Sequence, residues 1–206
     1  MDTRRQTVTQ TGFTLMELLM TIAIAAIVAT IGIPSFQYVT NSNRVAGEVN
    51  GLLADLQFAR AEAIKEGQPV TVCMSKGGVT CDTTGNAWNS GWIVYSNPTG
   101  TGANTTVPAA GSILRIQNTF TSTDTFLAAP AFSAITYNRE GYAIGVGNGT
   151  LISLHATSGS PAQIAAWTRC LAVSMNGMTQ TAINNQVING VGTTTNGAAS
   201  TGVTCQ

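Results

Sequence analysis

The side chains of this sequence that could do chemistry are few and widely spaced. Glu17 stands near the start of an apolar run, GFTLMELLMTIAIAAIVATIGIPSFQYVTNSN, which extends from Gly12 to Asn43 with no other formal charge. Inside a bilayer a carboxylate costs at least ~2.5–3.5 kcal/mol, so it persists there only with a partner. Its chemistry is that of an anion that must find a cation. His155 is the single histidine and has no acidic or cysteine neighbour in sequence, so it reads as a structural residue. Cys73, Cys81, Cys170 and Cys205 lack the paired C-x-x-C spacing of a metal site. No Gly-rich phosphate loop follows a strand and opens a helix. The expectation is a protein that is not an enzyme and uses no metal or cofactor.

The element that carries Glu17 should be a helix. Leu18–Asn43 is uncharged and exceeds the ~20 residues needed to span a bilayer. Arg4 and Arg5 precede it, and basic residues hold that end on the cytoplasmic side. The apolar run follows this leader directly and ends in no Ala-x-Ala site, unlike a secretory signal. Pro34 has no N–H for the Thr30 carbonyl, so it either breaks the helix near Gly32–Pro34 or closes the membrane span. Beyond Arg44, Val45, Val49, Leu52, Leu53, Leu56, Ala59, Ala63 and Ile64 recur at the spacing of one helical face. Glu48, Asp55, Arg60, Glu62 and Lys65 fill the solvated remainder, and Gly67 with Pro69 forms the stop.

After Pro69 the period changes to two. Val70–Met74, Gly91–Tyr95, Ser112–Gln117, Ile135–Asn138, Tyr142–Val146, Leu151–His155 and Trp167–Met175 read as strands. Asn138–Gly141 and Met175–Met178 read as hairpin turns. Antiparallel strands packed on one helix give an α+β fold, with two stacked sheets expected. Asn97–Gly111 and Asn184–Gly202 read as loop and tail. The division expected is a leader at 1–12, a membrane or filament-core half-helix at 13–40, an amphipathic half-helix at 41–68 and a β-rich domain at 69–206.

Gly12-Phe13-Thr14-Leu15-Met16-Glu17-Leu18-Leu19 resembles the class III signal of type IV pilins and type II secretion pseudopilins. The resemblance implies cleavage after Gly12 by a prepilin peptidase and N-methylation of Phe13. It implies that Glu17 meets the N-terminal amine of a neighbouring subunit, and that Pro34 is the family's helix-breaking proline. A free amine at Phe13 would have a pKa near ~8 and be charged at neutral pH, which suits it as the partner of Glu17. Leu52–Ile64, Gly67–Cys73 and Trp88–Tyr95 narrow the likeness to the GspH/FimT family of minor pilins and pseudopilins. The family implies other pilin subunits as partners, the inner membrane before assembly and an extracellular pilus after it. It further implies roles in starting or capping pili that serve adhesion, twitching motility or DNA uptake. The alternative within the family is the GspH-type pseudopilin of a type II secretion system.

Some members of this family bind DNA through a Gly-Arg-x-Arg turn. The corresponding residues here are Gly177-Met178-Thr179-Gln180, with both arginines absent. Phosphate contact needs Lys or Arg, and from Val70 onward only Lys76, Arg115, Arg139 and Arg169 qualify. DNA is therefore a disfavoured partner, with Arg139 and Arg169 as its weak candidate contacts. Only 9% of the residues are charged, far below the ~25% of ordinary domains, so electrostatics offers little else. Four cysteines in a domain outside the cytoplasm read as two disulfides. Of three possible pairings the expected one is Cys73–Cys81, closing a short loop, with Cys170–Cys205, tying the polar tail to a strand.

Overall fold

The computed structural model describes residues 12–100, 108–109, 111–120, 122–146, 150–157, 159–188 and 203–205. Its first element is one long helix, α1 (Leu15–Glu66). Thr14 starts it, because its Oγ1 accepts the Glu17 backbone N–H at 3.2 Å and satisfies an otherwise orphaned donor. Gly67, at φ +65°, ends it in the left-handed conformation that suits glycine. α1 continues through Pro34, so the proline does not end the helix. Proline removes a single backbone donor there, and the flanking turns keep theirs. The chain divides into two compact units, Met1–Thr40 and Asn41–Gln206, and α1 contributes to both.

In the first unit every described residue from Gly12 to Thr40 is exposed. In the second unit Val45, Val49, Leu52, Leu56, Ala59 and Ala63 of α1 are buried. Leu53 is only partly buried, and Ile64, expected on the same stripe, faces out at its margin.

Two antiparallel sheets complete the second unit. The first has the order β3-β2-β1-β5-β6, from β1 (Val70–Met74), β2 (Trp92–Ser96), β3 (Ile113–Gln117), β5 (Ala134–Tyr137) and β6 (Ala143–Ile144). Val72 stands opposite both Val94 and Ile135. The second sheet has the order β4-β7-β8-β9, from β4 (Thr125–Ala129), β7 (Thr150–His155), β8 (Arg169–Val173) and β9 (Thr179–Ile183). A small pair joins β10 (Val187–Ile188) to β11 (Val203–Thr204). The buried stripe of α1 and apolar residues of both sheets form one core that includes Trp88, Trp92, Phe126 and Tyr137. Trp92 meets Phe120 and Phe126 edge-on at centroid distances of 5.6 and 6.3 Å. Trp88 and Trp92 are thus aromatic anchors of the core.

Several elements differ from the sequence reading. Trp167 closes a short helix, α2 (Pro161–Trp167), instead of opening a strand. Its start is a capping box in which Ser160 and Gln163 bond each other's backbone. β4 and β9 are additional strands, and β9 begins directly after the Met175–Met178 turn; β10 lies within the segment read as tail. The expected loop and tail fall largely outside the described residues.

Cys73 bonds Cys81, and Cys170 bonds Cys205, with Cα atoms 5.6 and 5.7 Å apart. The first bridge joins Ile93, Tyr95 and Ala134 in a small cluster. The second lies with Leu151, Ala172, Ala182 and Ile188. Loops of 8 and 35 residues correspond to stabilisations of about 2.5 and about 4 kcal/mol by chain entropy. Replacing Cys170 and Cys205 by serine should therefore lower stability more than replacing Cys73 and Cys81. Denaturant unfolding of the full chain in detergent checks the order, and an equal or reversed loss contradicts it.

Candidate functional site

The segment that stands out is the start of α1. Phe13 is 83% exposed, and Leu15, Met16, Leu18, Leu19 and Met20 beside Glu17 are exposed as well. This part of the helix is apolar enough to cross a membrane, with a mean hydropathy of 2.2 over its best window. Three of its threonine hydroxyls are satisfied within the helix: Thr21, Thr30 and Thr40 donate to the carbonyls of Leu18, Ile27 and Phe36 at 2.8, 2.7 and 2.9 Å. Such self-contained bonding is what a helix needs where water is absent.

Glu17 lies in the first turn, where the partial positive charge of the helix end favours an anion. An amine freed at Phe13 would sit at that same end, where the dipole disfavours a cation. Within one copy, then, the dipole helps Glu17 and opposes the amine. The amine is the group with more to gain from a carboxylate supplied by another copy.

In the globular unit Arg44, Glu48 and Asp55 of α1 are tied to residues beyond the helix. Asp55 accepts Trp92 Nε1–H at 2.8 Å and Arg115 Nη1–H at 2.9 Å, and Arg115 lies over the Phe58 ring at 3.7 Å. Arg44 Nη2 is 2.7 Å from Asp124 Oδ2, whose carboxylate is buried and also accepts the Thr157 N–H. Glu48 accepts the Ser122 hydroxyl at 3.1 Å. Burial pushes the Glu48 carboxyl above its ordinary value and nearby Asp124 adds to the rise, while the Ser122 bond and Arg44 oppose it. Burial lowers the His155 imidazole below its ordinary value, and its Nδ1 is 3.3 Å from the Thr168 hydroxyl.

The structure separates the two candidate DNA contacts. Arg139 lies in the turn before β6 and pairs with Glu140 at 2.9 Å. Arg169, at the start of β8, donates to the carbonyls of Ala166 and Thr168, which satisfies the chain leaving α2. The Gly177 turn lies beyond the opposite end of β8. Counting cations only from Val70 onward missed Arg60, whose Nη2 donates to the Asn176 carbonyl at 3.3 Å in that turn. The local signal was weak, because Arg60 looks like one more solvated charge of an amphipathic helix. Gly177, at φ +75°, packs against Gly141 so closely that a Cβ would meet the Gly141 carbonyl.

A long helix with an uncovered apolar start, a first-turn carboxylate and a second half packed on antiparallel sheets defines the pilin and pseudopilin class of subunit. A family model described as "Type II transport protein GspH" matches residues 48–177, and one described as "Prokaryotic N-terminal methylation motif" matches residues 8–33. The chain belongs to the GspH family of pilin-like proteins. No curated protein matches it. Among solved structures it is similar to the type IV minor pilin FimU of Pseudomonas aeruginosa in two crystal forms, each 19% identical. One covers 71% of this chain and 92% of that chain with a TM-score of 0.49, the other 68% and 91% with 0.47.

Two outcomes are expected. A carboxyl raised on folding is stabilising below its ordinary value of 4.5, and that contribution is lost as pH rises through the folded value. Glu48→Gln should accordingly raise the melting temperature at pH 7.5 relative to the parent, with the gain shrinking toward pH 4. A gain independent of pH contradicts this origin. Met178→Arg with Gln180→Arg should add duplex-DNA affinity that falls with salt, since two phosphate-seeking groups then share one turn. A mobility-shift titration in which the parent already binds as tightly contradicts the reading.

Proposed function

We propose that this chain is a minor pilin of a type IV pilus, cleaved after Gly12 by a prepilin peptidase and N-methylated on Phe13. Before assembly residues 13–40 anchor it in the inner membrane with the globular unit in the periplasm. After assembly the same residues lie in the filament core, and the protein helps to start or cap the pilus, with adhesion, twitching motility or DNA uptake as the service performed. Its role is structural, with no catalytic step. Prepilin peptidase and the other pilin subunits are its partners; DNA is not.

The observation that carries this reading is the exposure of every described residue from Gly12 to Thr40, with Glu17 as the lone charge among them. Monomeric soluble proteins rarely leave apolar patches beyond a few hundred Å² uncovered. Lipid and then neighbouring helices would supply the cover. Glu17 then needs a cation, and the Phe13 amine of another copy or another pilin is the cation the processing step creates. A pairing that fails unless the axial register is right would reward correct placement.

The family's description as a type II transport protein favours a second reading, a minor pseudopilin of a type II secretion system. Deleting the gene separates the two: loss of surface pili with secretion intact supports the pilus, and the converse supports the secretion filament.

Mass spectrometry of the chain in assembled filaments should find methylated Phe13 at its N-terminus, and retained Met1 would defeat the reading. Glu17→Ala should leave membrane insertion intact and reduce incorporation into filaments. Normal incorporation of that variant would remove the role given to Glu17.

A further inference from the structure

Two grooves in the globular unit run along opposite flanks of α1. At 3.6 residues per turn, Arg60 and Ile64 fall on one side of the buried stripe formed by Leu56, Ala59 and Ala63, and Glu62 and Glu66 on the other. The first groove, of about 360 Å³, lies between α1 and the β8–β9 turn, with Arg60, Ile64 and Met178 in its lining. The second, of about 270 Å³, lies between α1 and the sheet edge, with Glu62, Glu66 and Leu114 in its lining.

Both combine exposed apolar surface with charge, and the charges have opposite sign. Ile64 and Met178 are 52% and 49% exposed. Arg60 has only neutral acceptors, the Asn176 carbonyl at 3.3 Å and Met178 Sδ at 3.8 Å. Among the described residues it forms no ion pair, and a guanidinium has five donors to satisfy. In the second groove Lys65 Nζ stands 3.1 Å from both Glu62 Oε1 and Glu66 Oε1. Two carboxylates share one ammonium, so a negative charge is left over beside Leu114, itself 39% exposed.

We propose that the Arg60 groove of one copy receives the Glu62–Glu66 flank of a second copy. The chain supplies both halves of this contact. Arg60 gains the carboxylate it lacks, Glu62 and Glu66 gain a second cation, and Leu114 covers Ile64 and Met178. Two copies related by a two-fold axis through either groove would instead bring like charges together, which disfavours a symmetric dimer. The contact is therefore head-to-tail, a kind that joins unlike surfaces of two copies. It rests on the filament reading above, and it adds a lateral contact between globular units to the helix pairing made through Glu17.

The test uses the full chain in its own membranes, with one tagged copy carrying Met178→Cys and a differently tagged copy carrying Leu114→Cys, joined by a short bismaleimide. The expected product links the two different copies, with little linkage between two Met178→Cys copies. Arg60→Glu on the first copy should cut the yield roughly tenfold, as like charges meet. Combining it with Glu62→Arg and Glu66→Arg on the second copy should restore the yield. Arg60→Gln serves as a milder variant and should lower the yield less than Arg60→Glu. Linkage unaffected by these charge changes, equal linkage between like positions, or linkage only to a different pilin would overturn the proposal. Filaments recovered from the same cells keep the two readings apart. Filaments that contain the chain without the cross-link defeat the lateral contact alone. A charge-dependent cross-link in membranes of cells whose filaments lack the chain defeats the assembly reading alone.

Discussion

The constraint on which the rest depends is a carboxylate, Glu17, that has no cationic partner among the described residues. Glu17 stands in the first turn of α1, amid exposed apolar side chains. Thr14 caps that turn, and among the described residues no cation meets it. A folded monomer therefore ends its own chemistry unsatisfied, and the second unit is arranged so that this costs it nothing. Every buried residue of α1 lies at Val45 or beyond, so the core closes without help from the apolar half. Stability and assembly are assigned to different stretches of the same helix.

That separation explains what could be read from the sequence. The apolar run, the stripe of α1 and strands β1, β2, β3, β5 and β7 are each marked by a local period, and periodicity survives without tertiary information. Trp88 and Trp92 announce themselves by size, and burial at a core is where large aromatics contribute most. The cysteine pairs were open to choice by loop length and compartment. β4 and β9 were not legible, since TFLAA and TQTAI are short and gain their strand character from the neighbours they pair with. α2 carried a signal that went unused: Ser160, Pro161 and Gln163 are the start of a capped helix. At Pro34 a rule about one residue was outweighed by the regularity of the turns on either side.

The charges were harder to read than the apolar residues, for a physical reason. A hydrophobic residue needs only the correct face, whereas a charged one needs a partner that can lie far away in sequence. Asp55 meets Trp92 and Arg115 across 37 and 60 positions, and Arg44 meets Asp124. These contacts turn the outer flanks of the amphipathic half into fixed joints with both sheets. Few residues are charged, and most of the cations in the globular unit are already committed. Arg60, like Lys76 and Arg169, forms no ion pair among the described residues.

The bulge between Val94 and Tyr95, opposite Leu114 on β3, has its own consequence. β3 is an outer strand of its sheet, and an extra residue there spoils the regular ladder that an incoming strand would extend. Subunits crowded side by side at high local concentration are therefore steered away from fusing their sheets. What passes between them must be side chains, and contacts of that kind can be undone. A contact made at this edge through side chains alone would be reversible, whereas one zipped through backbones would not.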